Sequence, residues 1–151
     1  MKCLRAILVV TAIISAAAQR ANAEVCLDEA GVSGYHIPPE KEAREAYAVV
    51  IGTVVGVKEG PAPFEGEEGE GTVYQLRVGE TLRGHRRKTF ALFSENTSAR
   101  FPMEVGRTYL VFVHKREKIF YATNCGSSGE LSERSQLLGQ LRKTLTPGTK
   151  D

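Results

Sequence analysis

Several motifs that carry well-known chemistry are missing from this chain. It has no H-E-x-x-H, no G-x-S-x-G and no glycine-rich phosphate loop opening a helix. Zinc-protease, nucleophile-elbow and P-loop chemistries therefore have no motif to rest on. Histidine is scarce as well. His36, His85 and His114 fall in three separate loops or strand ends, and none has the close cysteine or carboxylate partner that a catalytic or metal-binding constellation would show. His114 and Glu117 flank one hairpin turn and read as a solvated pair. We expect no enzyme, no catalytic residue, no metal site of the chain's own and no cofactor.

A long apolar run is also missing. Ala6 to Ala18 is apolar but shorter than the roughly 20 residues that a bilayer-spanning helix needs. Lys2 and Arg5 flank its start, and Ala21-Asn22-Ala23 supplies small residues at its end. Basic start, short apolar centre and A-x-A end are the pattern of a secretory signal, which places the signal at 1–23 and the folded domain at 24–145, with a disordered tail at 146–151. The destination is extracellular or periplasmic, with no membrane attachment after cleavage.

There is little net charge of either sign. Removing Lys2, Arg5 and Arg20 with the signal leaves 17 basic against 18 acidic residues, a net charge of −1. A chain so nearly neutral lacks the electrostatic footprint of a nucleic-acid binder, and no nucleic-acid partner is expected. Cysteine is sparse too: Cys3 leaves with the signal, and Cys26 and Cys125 remain. In an oxidising compartment two cysteines default to one disulfide. A structural metal site would need further ligands nearby, and the sequence has none.

What is present is β-structure. Gly106 to Cys125, GRTYLVFVHKREKIFYATNC, reads as two strands around a charged turn, with Tyr109, Val111 and Val113 alternating against Leu110, Phe112 and His114. A hairpin apolar on both faces is not stable alone, so further strands must surround it. Tyr47 to Lys58 is a strand apolar on both faces and interrupted by Gly52 and Gly56, as suits a first strand that curls to pair on both sides. Thr72 to Leu82 alternates as a half-buried strand, and Thr89 to Phe93 is a short third one. Glu40 to Ala46 reads as a helical turn. A helix is expected over Leu131 to Leu145, with Leu131, Leu138, Leu141 and Leu145 at helical spacing and Arg142 and Lys143 in its last turns.

Between these elements lie an acidic loop, Glu59 to Gly71, and a basic turn, Arg83 to Lys88; both read as solvated connections. Asn96-Thr97-Ser98 fits the glycosylation pattern. Five strands with a bent first strand and a terminal helix packed on them give an all-β fold, a five-stranded OB-type barrel; a β-sandwich is the alternative.

The order Phe101, Gly106, Tyr109-Leu110-Val111-Phe112, hairpin, Ala122-Thr123-Asn124-Cys125 and amphipathic helix resembles the inhibitory domain of tissue inhibitors of metalloproteinases and the wider netrin-like modules. Ala46 to Val54 is similar to the family's first strand, and Leu82-Arg83-Gly84 to its strand-end step. The resemblance covers most of the chain after the signal and implies an OB-type barrel. It also implies a function at the N-terminus. Family inhibitors begin Cys-x-Cys, chelate a protease zinc through the first residue's amine and carbonyl, and insert the second side chain into the specificity pocket. Here Glu24-Val25-Cys26 stands at that position, so Glu24, Val25 and Cys26 are the implied protease contacts, and Cys26–Cys125 the implied bridge. The first family cysteine is replaced by Glu24, and its partner near Ala99 to Phe101 is missing with it.

Three functions follow as expectations. The leading one is a secreted, non-catalytic binding module, monomeric, holding an extracellular protein or glycan through the loops Glu59 to Gly71 and His114 to Glu117. The second is an inhibitor of a secreted zinc metalloprotease acting through Glu24. An oligonucleotide-binding barrel is third and is opposed by the charge.

Overall fold

The computed structural model describes residues 26, 37–61, 70–96 and 100–145. The signal at 1–23, the tail at 146–151, His36, Glu24 and Val25 lie outside the described residues. So do the middle of the acidic loop and Thr97-Ser98 of the glycosylation triplet.

The chain is mostly β. Its elements run α1 (Pro39–Glu45), β1 (Ala48–Pro61), β2 (Glu70–Gly84), β3 (Thr89–Glu95), β4 (Thr108–Arg116), β5 (Ile119–Tyr121), β6 (Gly129–Glu130) and α2 (Ser135–Thr144). The sheet order is β1-β2-β3-β5-β4, and β4 pairs back onto β1, so five strands form a ring. All the ring contacts are antiparallel except β3–β5, which is parallel. β6 adds a two-residue rung to β4 through Tyr109 and Glu130, and Leu110 and Gly129.

Closure is written into β1. Ala48 pairs with Gly84 on one side and Val113 on the other, so the first strand is shared between two neighbours from its first residue. Its register against β2 shifts at Val49/Val50, Ile51/Gly52 and Val54/Gly56. Such bulges bend a strand and raise its twist, which a closing sheet requires. Gly52 is one of the places where the bend brings backbone close to a neighbour. A β-carbon there would lie 2.7 Å from Leu76 Cγ and 2.9 Å from the Arg77 carbonyl oxygen, so any larger residue must push β2 away.

Because β1 and β4 are buried on both faces, alternation sorts their side chains into two cores. Val50, Val54, Tyr109, Val111 and Val113 point into the ring with Tyr74, Leu76, Phe90 and Leu92. Val49, Ile51, Leu110 and Phe112 point outward beneath Ala43 of α1 and Leu141 of α2. The connection from Phe101 to Arg107 closes one end. Phe101 and Met103 sit in the inner core, and Gly106 N–H donates to the Val54 carbonyl over 2.8 Å.

The leucine stripe packs as expected, but the helix starts later than its periodicity suggests. Leu131 N–H donates to the Thr108 carbonyl at 2.9 Å, continuing the β6–β4 rung, and helix begins only at Ser135. Leu137 joins Leu138 and Leu145 against Leu141 in the outer core.

Candidate functional site

Two places in the ring gather polar side chains from distant parts of the sequence. The first surrounds the disulfide. Cys26 and Cys125 are bonded, with their Cα atoms 5.5 Å apart and a sequence separation of 99. Next to Cys125, Ser127 N–H donates to Glu42 Oε2 at 2.6 Å, and His114 Nε2 lies 3.2 Å from Glu42 Oε1. Glu42 is fully buried. His114 is thus not a solvated partner of Glu117: it ends β4 against the carboxylate of α1, and its ring stacks on Tyr121 with centroids 5.5 Å apart. With no exposed oxygen, Glu42 cannot meet a substrate. The cluster instead fastens α1, the end of β4 and the disulfide turn together. A buried carboxylate persists only when its oxygens are hydrogen-bonded, and Ser127 N–H and His114 Nε2 give each oxygen one partner.

The second place is at the start of β1. Since Ala48 faces both Gly84 and Val113, the segments that leave β2 and β4 emerge on either side of Tyr47. Gly84 turns the first of them with φ of +83°, a conformation that glycine takes without strain, and packs directly on the Tyr47 carbonyl oxygen. Tyr47 N–H donates to the Val113 carbonyl at 2.8 Å, and Arg83 Nη1 donates to the Ala46 carbonyl at 3.2 Å. The strand start is therefore held on both flanks.

Over this frame lies a layer of rings and cations. His85 stacks on Tyr47 with centroids 4.3 Å apart and 16° between planes. Tyr47, Phe90 and Phe120 contact one another at centroid distances of 5.0 to 6.4 Å. The Arg87 guanidinium sits 4.9 Å from the Phe120 ring centre and 5.6 Å from that of Phe90, and Lys115 Nζ lies 5.5 Å from the Tyr47 ring centre. Cations at such distances are attracted by the ring quadrupole, by about 0.5–1 kcal/mol each at exposed sites. With Arg86 and Lys118 they line an open groove of about 460 Å³. None of Arg86, Arg87, Lys115 and Lys118 forms an ion pair with a carboxylate among the described residues. Two cations elsewhere do meet acidic side chains. Glu130, and then Glu104, hold the exposed Arg107 guanidinium above its ordinary pKa, and Arg142 meets Glu80 at 2.6 Å.

The structure separates the two loops that the sequence suggested would act together. Pro61 and Glu70 pair at the far end of β1, whereas the β4–β5 turn lies beside its start. At the far end Glu59, Glu70, Asn96 and Arg100 line a polar cleft of about 350 Å³. The β4–β5 turn instead meets the basic β2–β3 turn and Tyr47, a grouping that sequence reading missed because each turn alone looks like a solvated tip. The available signal was the long first strand: once it pairs on both sides, the two turns must flank its start.

Among the described residues there is no group of three histidine, cysteine or acidic side chains able to hold a metal ion, and no helix long and apolar enough to cross a membrane. No known family model matches the chain, and no curated protein matches it.

Proposed function

We propose that this chain is an exported, non-catalytic binding module, an OB-type barrel of the netrin-like kind, that grips its partner with the cationic–aromatic rim at the start of β1. Support for the OB-type reading comes from the ring order β1-β2-β3-β5-β4-β1 and the parallel β3–β5 pair. The disulfide fits an exported protein. The observation that carries the rim reading is the set of cations held over Tyr47, Phe90 and Phe120 without acidic partners. Cations ordered on rings but left without acidic partners present positive charge to solvent, and their order lowers the entropy that a partner would otherwise have to remove.

The test is capture from the native extracellular fraction by immobilised protein. A partner that wild type retains should be lost with Arg86→Glu/Lys118→Glu and kept by Val55→Thr/Val57→Thr, two exposed positions farther along β1. Equal capture by all three proteins would remove the rim from the account.

A second reading, inhibition of a zinc metalloprotease through Glu24, is favoured by one observation: the Cys26–Cys125 bond ties the residue after Val25 to the ring. Protein starting at Glu24 and protein carrying one additional N-terminal alanine separate the two readings when titrated against a panel of zinc endopeptidases. The rim reading expects neither to inhibit. Inhibition abolished by the alanine would move the function to the N-terminal amine.

A further inference from the structure

A third cleft, separate from the rim, lies where β3 and β5 part. Their parallel pairing has two rungs, Leu92 with Phe120 and Phe93 with Tyr121, and β3 runs on to Glu95 whereas β5 stops. Beside this fork is a cleft of about 200 Å³. That is the space of roughly six or seven waters, and it is smaller than the sites of drug-sized ligands. We propose that this cleft binds a short zwitterion of dipeptide size, with its ammonium group on Glu95 and its carboxylate on Arg116. No rim residue lines it, so the inference stands independently of the proposed function.

Strand register puts opposite charges on either side of an aromatic step. On β3, Glu95 stands two residues beyond Phe93, and on β4, Arg116 pairs with Ile119, two residues before Tyr121. Residues two apart in a strand share a face, so Glu95 and Arg116 flank the Phe93–Tyr121 rung in opposite directions, each by roughly 6–7 Å along the strands. Both line the cleft. Glu95 is exposed, and its carboxylate has no hydrogen-bond or ion-pair partner among the described residues. An acid at one end and a guanidinium at the other call for a ligand with both charges, held apart.

The space between the charges narrows the class further. Phe93 and Ala122 are buried and Tyr121 half-buried, so the middle of the cleft is largely apolar. Two hydroxyls stand at the Glu95 end. Ser94 accepts Phe101 N–H at 2.9 Å, and Thr123 accepts Cys125 N–H at 3.1 Å. Each hydroxyl keeps its own proton to donate, and neither gives it to an acceptor among the described residues. A peptide carbonyl between the two charges supplies that acceptor. A free α-amino acid carries both charges on one carbon and spans less of the distance from Glu95 to Arg116. An inorganic anion would be repelled by Glu95. A divalent cation would find a single carboxylate beside a guanidinium, far short of the oxygen ligands it needs. A free dipeptide meets all three features: two separated charges, a carbonyl between them and an apolar side chain for the floor.

The experiment is an amide-shift titration of ¹⁵N-labelled mature protein with alanyl-leucine, its N-acetyl derivative, its C-terminal amide and free leucine. Alanyl-leucine should give saturable shifts at 93–95, 116 and 121–123. Each cap removes one charge and should weaken binding by about tenfold or more, as loss of a charged hydrogen bond does. Glu95→Gln should weaken alanyl-leucine by about tenfold yet leave the N-acetyl derivative unaffected, and Arg116→Gln should do the same with the amide unaffected. Both positions are exposed, and a cleft merely distorted by substitution would weaken every probe alike. The rim pair Arg86→Glu/Lys118→Glu should bind alanyl-leucine as wild type does. No saturable binding of alanyl-leucine at millimolar concentrations overturns the inference, and so do shifts centred away from the cleft. Capped forms that bind as well as the free dipeptide, or losses in the two variants that ignore the caps, overturn the charge assignment on which it rests. Leucine that binds as tightly as alanyl-leucine overturns the dipeptide as ligand.

Discussion

Replacing Cys26 and Cys125 together by serine should lower the unfolding free energy by about 4–5 kcal/mol. The bridge spans 99 residues, nearly the whole described domain, and joins the segment before α1 to the turn after β5. Cross-linking two points that far apart restricts the unfolded chain strongly; chain-entropy arithmetic gives about 4.7 kcal/mol for a loop of about 100 residues. Cys26 is also buried, so serine adds an unfavourable polar group in place of a sulfur contact. Urea unfolding is the appropriate measurement. At a slope of about 1–3 kcal/mol per molar, the midpoint should move by roughly 1.3–5 M. Reduced wild-type protein should unfold near the double-serine variant, which separates the cross-link from the substitutions. A loss below about 1 kcal/mol would mean that the unfolded chain is already restrained or that the bond distorts the native state.

Glu42→Ala is the second large effect, about 3 kcal/mol or more. The substitution leaves Ser127 N–H and His114 Nε2 facing a void in place of Glu42 Oε2 and Oε1. Removing one member of a buried polar pair costs far more than the pair contributes, because the survivor keeps its desolvation penalty. Glu42→Gln keeps one carbonyl acceptor at nearly the same volume, so it should cost clearly less than alanine. That ranking distinguishes lost hydrogen bonds from lost packing. Ser127 lies two residues from Cys125, so the two perturbations share a turn. Glu42→Ala in the double-serine background should therefore cost less than in wild type. Full additivity would show that Glu42 and the disulfide hold separate parts of the structure, and a Glu42→Ala loss under about 0.5 kcal/mol would show that water satisfies the donors.

Much of the fold was legible in the sequence because its signals are local. The alternation of Tyr109, Val111 and Val113 against Leu110 and Phe112 marks β4 and both faces that it buries. Gly52 within an apolar run marks a strand that must approach its neighbour closely. Features made by long-range pairing left no such trace. Leucine spacing suggests a helix from Leu131, but the Thr108 carbonyl and the β6–β4 rung keep that residue out of it. His114 has Glu117 as its nearest acidic neighbour in sequence, yet its partner is Glu42, 72 residues away. The rim is the largest instance. Arg83–Lys88 and His114–Lys118 each read as a solvated tip, and they become one surface only because Ala48 pairs with both Gly84 and Val113.

The most direct test of the rim as the binding surface is an amide shift map. ¹⁵N-labelled protein would be titrated with the partner recovered from the native extracellular fraction. Shifts should concentrate at Tyr47, at 85–88 and at 115–120, and should weaken as salt rises. Shifts centred on Glu59–Pro61, Glu70–Thr72 and Asn96, or on Cys26 and its disulfide turn, would contradict the account and place binding at the acidic end or at the N-terminus.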